Sequence, residues 1–102
     1  MTTYVLVHGA WHGGWCWKKT APLLREAGAE VFTPTLTGMG ERAHLNDHID
    51  PSEITLDVHI QDIVQLMRYE GLEDVVLVGH AYAGMVITGV AEVCPERIAH
   101  MV

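Results

Sequence analysis

A run of apolar residues that leads into a turn of small residues constrains the fold of this chain more than any other feature. The run reads VVLV at residues 75–78, and its lack of polar alternation is typical of a strand buried on both faces. The turn reads GHAYAG at residues 79–84. Small residues at both of its ends allow the chain to turn tightly and allow a helix to pack closely behind the strand. The pattern therefore predicts a buried strand, a sharp turn with Ala81 at its tip, and a helix.

The rest of the chain alternates between short apolar runs and helical segments. Pro22 moves the start of the first helix toward Ala21 with Thr20 as its cap, Gly28 ends that helix, and Thr55 is expected to cap the next one. Strands are predicted at residues 4–7, 30–33, 74–78 and 98–102, helices at residues 15–27, 57–70 and 82–94, and a long loop at residues 34–52. This order predicts the α/β class, a predominantly parallel sheet with flanking helices.

Charge and composition exclude several classes of function. Six basic residues against thirteen acidic ones give a net charge of −7, so no basic patch is available to neutralise nucleic-acid phosphates. No apolar run approaches the roughly 20 residues that span a bilayer, and the first residues lack the basic stretch of a signal sequence. We therefore expect a cytoplasmic protein with no nucleic-acid or membrane partner, in which Cys16 and Cys94 are reduced thiols.

The chain stops just as its fourth predicted strand begins. A buried strand at this point would leave backbone and side-chain groups without partners. Residues 1–102 are therefore expected to be a fragment of a larger domain. A complementary C-terminal fragment or a second copy of the chain is expected to cover the surface that is left exposed.

Two turns carry the residues with the clearest potential for chemistry, and both follow predicted strands. The first reads HGAWHGGW at residues 8–15, and the second is the turn around Ala81. Both lie at the carboxyl ends of parallel strands, the edge of the sheet where ligands bind. The first turn could present a backbone N–H to a developing oxyanion, and Tyr82 could present a second one at a helix N-terminus. Two such donors stabilise the tetrahedral intermediate of acyl transfer.

These motifs together resemble those of the α/β-hydrolases. The matching segments are VLVHGAWHGGWCW at residues 5–17, TLTGMGER at residues 35–42, and VLVGH at residues 76–80 followed by Tyr82, Gly84 and Met85. They are most similar to the branch that contains plant hydroxynitrile lyases, methyl esterases and bacterial esterases such as the pyrethroid hydrolases. In this family a strand followed by Gly-x-Ser-x-Gly is the nucleophile elbow, and here alanine stands in place of the serine. The family's acid and histidine follow the nucleophile in that order, further along the chain. The resemblance therefore implies that residues 1–102 are the N-terminal part of a single domain.

The resemblance also implies roles for individual residues. Ala81 occupies the nucleophile position, and the N–H groups of Ala10 and Tyr82 occupy the positions of the oxyanion hole. The substrate pocket is expected to include Trp11, His12 and His80. No metal or organic cofactor is required by such a mechanism. The remaining histidines outside the two turns are expected to be structural or solvated, and they are His44, His48, His59 and His100.

The function that follows is hydrolysis of a small-molecule carboxylic ester by a serine hydrolase whose nucleophile position holds Ala81. Because the surrounding motif is intact, an engineered Ser-to-Ala change is the simplest origin of this alanine. The chain is expected to be inactive as it stands. Two alternatives stay open, a natural pseudo-hydrolase that binds a small molecule and a hydroxynitrile lyase.

A dinucleotide-binding unit is a weaker alternative. Gly79, Ala81 and Gly84 form a degenerate G-x-G-x-x-G pattern between a strand and a helix. That fingerprint usually follows the first strand and needs an acidic residue about twenty positions further on. Here it follows the third predicted strand, and residues 98–102 contain no acidic residue.

Overall fold

Four parallel strands form the centre of the computed structural model, which describes residues 1–102. They are β1 (Thr3–Val7), β2 (Glu30–Phe32), β3 (Val75–Gly79) and β4 (Ile98–Met101), in the order β2-β1-β3-β4. The predicted parallel α/β sheet is thus confirmed, and each strand lies within a residue or two of its predicted position. The central pair, β1 and β3, is in register from Thr3 opposite Val75 to Val7 opposite Gly79.

Three α-helices flank the sheet: α1 (Thr20–Glu26), α2 (Leu56–Tyr69) and α3 (Ala83–Val93). The Thr55 hydroxyl caps α2 as predicted, since it accepts the N–H of Val58 at 3.3 Å. Gly28, at φ +95°, follows the end of α1. None of the helices is long and apolar enough to span a membrane.

Two predictions about helical segments were wrong. The first helix does not run through residues 15–27, because Gly14–Trp17 forms a separate 3₁₀ turn. The predicted start near Ala21 is confirmed to within one residue, although Thr20 is the first residue of α1 rather than its cap. Pro22 then falls within the first turn, where a missing N–H breaks no helical bond. Residues 34–52 are not a plain loop either, since Gly40–Asp47 and Pro51–Glu53 form 3₁₀ helices. A further 3₁₀ turn, Pro95–Arg97, precedes β4.

The core lies mainly on one face of the sheet, beneath α2 and α3. Alternation along β1 divides its side chains, because Val5 and Val7 face this core whereas Leu6 faces α1 with Ala21. The larger cluster has 15 buried residues, contributed by the sheet, α2, α3 and the connections between them. The amphipathic pattern predicted for α2 is confirmed, with Ile60, Ile63, Val64 and Met67 buried.

The crossing of α2 and α3 depends on Gly89. A Cβ atom at this position would collide with the side chain of Ile60. We therefore expect Gly89→Ala to lower the free energy of unfolding by about 1–3 kcal/mol, the usual cost of overpacking. Gly84→Ala in the same helix is the matched control, because a Cβ there would meet nothing within 4 Å. It is expected to be neutral or stabilising by up to about 1 kcal/mol, and equal effects of the two substitutions in urea denaturation would contradict the packing argument.

Candidate active site

The two motif turns meet at the carboxyl ends of the central strands. The sheet order reverses between β1 and β3, which is where open α/β sheets form a ligand crevice. The N–H of His80 donates to the carbonyl of Val7 at 3.1 Å. A Cβ atom on Gly9 would lie 3.1 Å from the His80 carbonyl oxygen and 3.3 Å from the Ala81 Cβ. Glycine at position 9 thus allows the first turn to lie directly against the second.

Ala81 has the backbone conformation of a nucleophile elbow. Its φ of +56° is left-handed, which costs an L-residue roughly 1–2 kcal/mol. The turn continues at once into α3, because the N–H of Ala83 donates to His80 at 3.0 Å and that of Gly84 donates to Ala81 at 2.9 Å. The Ala81 side chain is exposed at the tip of this turn. The chain thus keeps a strained strand-to-helix turn although the residue at its tip carries no hydroxyl.

Two backbone donors beside Ala81 have no acceptor within the chain. They are the N–H of Ala10, in the first turn, and the N–H of Tyr82, which directly follows Ala81. Tyr82 is also the N-cap residue of α3, so the positive end of that helix dipole faces the same edge of the sheet. Unpaired backbone donors next to a helix N-terminus favour an anionic oxygen.

The three residues expected in the substrate pocket lie around these donors. Trp11 is 94% exposed and has a φ of +69°, which is rare for so bulky a residue. The rings of His12 and His80 lie edge to face with centroids 6.4 Å apart. His12 is fixed through Nδ1, which donates to the carbonyl of Ala10 at 3.1 Å. The structure therefore places His12, from the first turn, next to His80, the residue before Ala81.

A cavity of about 690 Å³ opens beside the first turn. Trp11 and Ala10 form one side of it, whereas His12 and His80 do not line it. The opposite wall comes from residues 37–54 and from His59 of α2. The volume is in the range of pockets that hold small organic ligands. The cavity wall thus consists largely of the segment predicted as a long loop, a kind of segment that is usually functional in compact domains.

Buried hydrogen bonds fix the segment Thr35-Leu36-Thr37, which leads into that wall, to the first turn. The Thr35 hydroxyl accepts the N–H of Gly14 at 2.8 Å and donates to the Glu41 carboxylate at 2.7 Å. This bond holds the pKa of Glu41 below its ordinary value. His8, which is fully buried, accepts the N–H of Leu36 through Nε2 at 3.0 Å and donates through Nδ1 to the Gly9 carbonyl at 2.7 Å. The bond that Nε2 accepts requires the neutral imidazole, since both ring nitrogens are donors in the charged form.

His8 should make the stability of the fold sensitive to pH. Burial lowers the pKa of His8 below its ordinary value of 6.5, because the charged ring loses its hydration. As pH falls through 6.5 the unfolded chain binds a proton that the folded chain does not, so the folded state loses stability on acidification. From about pH 7 to pH 5 the free energy of unfolding is expected to fall by up to about 1.4 kcal/mol per pH unit through this residue.

The matched variant for this prediction is His8→Gln, whose side-chain amide keeps a donor and an acceptor but does not titrate. Urea denaturation of the two proteins across this pH range should give a flatter dependence for the variant. Parallel curves would show that residue 8 is not the group responsible.

His59, which we expect to be structural or solvated, also lines the cavity, whereas Asp62 is not singled out by the sequence. Both project from α2 toward Thr37, and His59 reaches both the cavity and the elbow. His59 is only 4% exposed and adjoins Ile60 on the apolar face of the helix. A polar residue on an apolar helical face is a signal that could have marked it, since buried polar groups need partners.

Two known proteins match nearly the whole of this chain in sequence. Over 102 residues the chain is 53% identical to the carbendazim hydrolyzing esterase of Nocardioides sp. (strain SG-4G), a match that covers 100% of this chain and 40% of that protein. It is 34% identical over 104 residues to an alpha-hydroxynitrile lyase of Arabidopsis thaliana, covering 97% of this chain and 37% of the relative. The chain thus spans about two fifths of the length of these relatives.

A solved structure extends the agreement to the fold. The crystal structure of polyneuridine aldehyde esterase matches with a TM-score of 0.85 at 32% identity, over 99% of this chain and 38% of that one. The resemblance inferred from the two turns, including the branch with esterases and hydroxynitrile lyases, is confirmed by these matches. Residues 4–102 match the sequence model of the alpha/beta hydrolase family, and the chain therefore belongs to that family.

Proposed function

We propose that the full-length protein containing this chain has the architecture of a serine hydrolase that acts on carboxylic esters, with Ala81 at the position of the nucleophile. The observation that carries the proposal is the left-handed φ of Ala81 in a turn flanked by the unpaired N–H groups of Ala10 and Tyr82. The relatives support the chemical class, since they include a carbendazim hydrolyzing esterase and a methylesterase.

The proposed mechanism requires serine at position 81. Its hydroxyl would attack the ester carbonyl while a histidine removes the proton and a carboxylate orients that histidine. The resulting oxyanion would lie between the N–H groups of Ala10 and Tyr82, near the positive end of α3. Departure of the alcohol leaves an acyl-enzyme, which water then hydrolyses. We propose that the histidine and carboxylate follow the elbow in sequence, as the family order implies, and that no metal or organic cofactor takes part.

The substrate is proposed to be a small ester that lies between the two turns and the adjoining cavity. Trp11, His12 and His80 would surround its reacting carbonyl, and the cavity beside Trp11 and Ala10 would take one of its substituents. Because Ala81 cannot form an acyl-enzyme, residues 1–102 alone are expected to show no turnover.

The presence of alanine favours one alternative, a natural pseudo-hydrolase that binds a small molecule in the same place. An engineered Ser-to-Ala variant and a natural binding protein differ in the native gene. A serine codon at position 81 would support the first origin, and an alanine codon would support the second. A hydroxynitrile lyase would use the same turn, as the Arabidopsis thaliana relative suggests.

The test of the proposed function is the Ala81→Ser variant of the full-length protein, assayed with a simple aryl ester such as 4-nitrophenyl acetate and with a cyanohydrin. Ester hydrolysis by the variant alone would support the proposal. Cleavage of the cyanohydrin without ester hydrolysis would favour the lyase. A folded variant that acts on neither would contradict both.

A further inference from the structure

The proposed mechanism uses the backbone N–H of Tyr82 but assigns no role to its side chain. Its hydroxyl lies 2.8 Å from Nδ1 of His59, and the two rings meet nearly at right angles with centroids 5.7 Å apart. His59 belongs to α2, and Tyr82 directly follows the tip of the elbow. This hydrogen bond therefore joins α2 to Tyr82, whose backbone N–H lies next to position 81.

The direction of this hydrogen bond follows from the other side of the imidazole. Nε2 of His59 lies 2.9 Å from the carbonyl oxygen of Thr37, which can only accept. In the neutral ring the proton is then on Nε2, and Nδ1 must accept from the Tyr82 hydroxyl. Partial burial raises the pKa of Tyr82, which favours the protonated hydroxyl that donates.

Asp62, one turn further along α2 than His59, also binds Thr37. Its carboxylate accepts the Thr37 N–H at 2.6 Å and the Thr37 hydroxyl at 2.7 Å. Thr37 is therefore bound through its N–H, carbonyl and hydroxyl by His59 and Asp62, and it lines the cavity. The elbow, α2 and the cavity wall are thus linked by one series of hydrogen bonds.

We infer that the bond between the Tyr82 hydroxyl and His59 positions the Tyr82 N–H toward the reacting carbonyl, and that Tyr82 and His59 are positioning residues for ester hydrolysis. This inference rests on the proposed function. The physical reason is that Tyr82 is fixed at two points, by the turn and by its hydroxyl, so its N–H keeps one direction. Preorganised donors act on the transition state, whereas small displacements of such groups can reduce rates severalfold to a hundredfold.

The test compares variants made in the Ala81→Ser full-length protein. Tyr82→Phe removes only the hydroxyl, and we expect kcat to fall about 10-fold while KM changes less than about 2-fold, the pattern of a lost transition-state interaction. Tyr69→Phe is the matched control, because Tyr69 is 85% exposed at the end of α2. His59→Gln, which keeps an acceptor and a donor, should retain more activity than His59→Leu. An unchanged kcat in Tyr82→Phe, or equal losses in the two His59 variants, would overturn the inference.

A second measurement separates this inference from the proposed function. Nitrogen-15 NMR of the Ala81 full-length protein reports the tautomer of His59 without any turnover. We expect an Nε2-protonated ring whose Nδ1 resonance shifts in Tyr82→Phe but not in Tyr69→Phe. If Ala81→Ser is inert although this shift appears, the proposed function fails and the bond is purely structural. If the shift is absent while Ala81→Ser is active, the positioning inference alone is overturned.

Discussion

Ala81→Ser in the full-length protein is expected to raise the rate of 4-nitrophenyl acetate hydrolysis by about 10⁴-fold over the Ala81 protein. Loss of the serine from a working triad removes a factor of this order or more, and what then remains comes from the oxyanion donors and binding. The substitution adds one oxygen atom to an exposed position whose backbone is already in the left-handed region. The turn therefore needs no rearrangement to accept serine. Initial rates with equal amounts of folded protein give the comparison.

Ala27→Ser is the matched control for this experiment, because it adds the same hydroxyl at an exposed position after α1, away from both turns. A fluorophosphonate probe should label the Ala81→Ser protein in stoichiometric amount and should label neither the Ala27→Ser protein nor the Ala81 protein. Labelling of all three at the same rate would place the reactive group elsewhere. A folded Ala81→Ser protein that neither reacts with the probe nor hydrolyses esters would refute the assignment of position 81.

Leu36→Ala is expected to lower the free energy of unfolding by about 2–5 kcal/mol, the largest loss of stability predicted for this chain. Leu36 is fully buried in the main core cluster, and its N–H donates to His8. Removing its side chain leaves a cavity where the wall of the pocket joins the sheet, and the wall can relax only partly because its neighbours are bound through Thr35 and Thr37. Urea denaturation followed by circular dichroism measures the change.

Leu23→Ala provides the comparison, since Leu23 lies in α1 and is 67% exposed. Its expected effect is within about 0.5 kcal/mol, the usual range for exposed positions. Similar losses in the two leucine variants would mean that Leu36 is not part of the core in solution.

The elements with a clear hydrophobic period or a continuous apolar run were predictable from the sequence. The helix expected at residues 57–70 is Leu56–Tyr69, and the strand expected at residues 74–78 is Val75–Gly79. Periodicity reports which face of a segment is buried, so such segments are defined by their own residues. Gly71, at φ +63°, likewise marks the end of α2 through a local conformational requirement.

Residues 34–52 could not be predicted in the same way, because their structure depends on distant partners. Leu36 lies between two threonines in a segment without period, and its burial follows from contacts with β1, α2 and the first turn. Glu41 and Asn46 hold the 3₁₀ segment through bonds to Thr35 and Gly38. No local sequence pattern predicts these hydrogen bonds.

The residues of the candidate site likewise fall into those that a local motif predicts and those that only tertiary packing brings together. The two turns that contain Ala10, Ala81 and Tyr82 are visible in the sequence as small-residue turns after apolar runs, and the roles of these residues, implied by the family resemblance, stay predictions. The bond between Tyr82 and His59 joins the N-cap residue of α3 to α2, so only the packing of these two helices brings the residues together. The pocket wall is predictable from the sequence only as a long loop, because its structure likewise depends on distant partners.

The parallel pairing of β1 with β3 sets the order of events when the chain is made. Thr3 can pair with Val75 only after the whole intervening segment, including β2 and α2, has been synthesised. At translation rates of about 5–20 residues per second, several seconds pass between the synthesis of β1 and that of β3. Contacts that are so distant in sequence also slow folding. During this delay β1 presents an unpaired edge to which other chains can add, so aggregation competes with folding until β3 has been made.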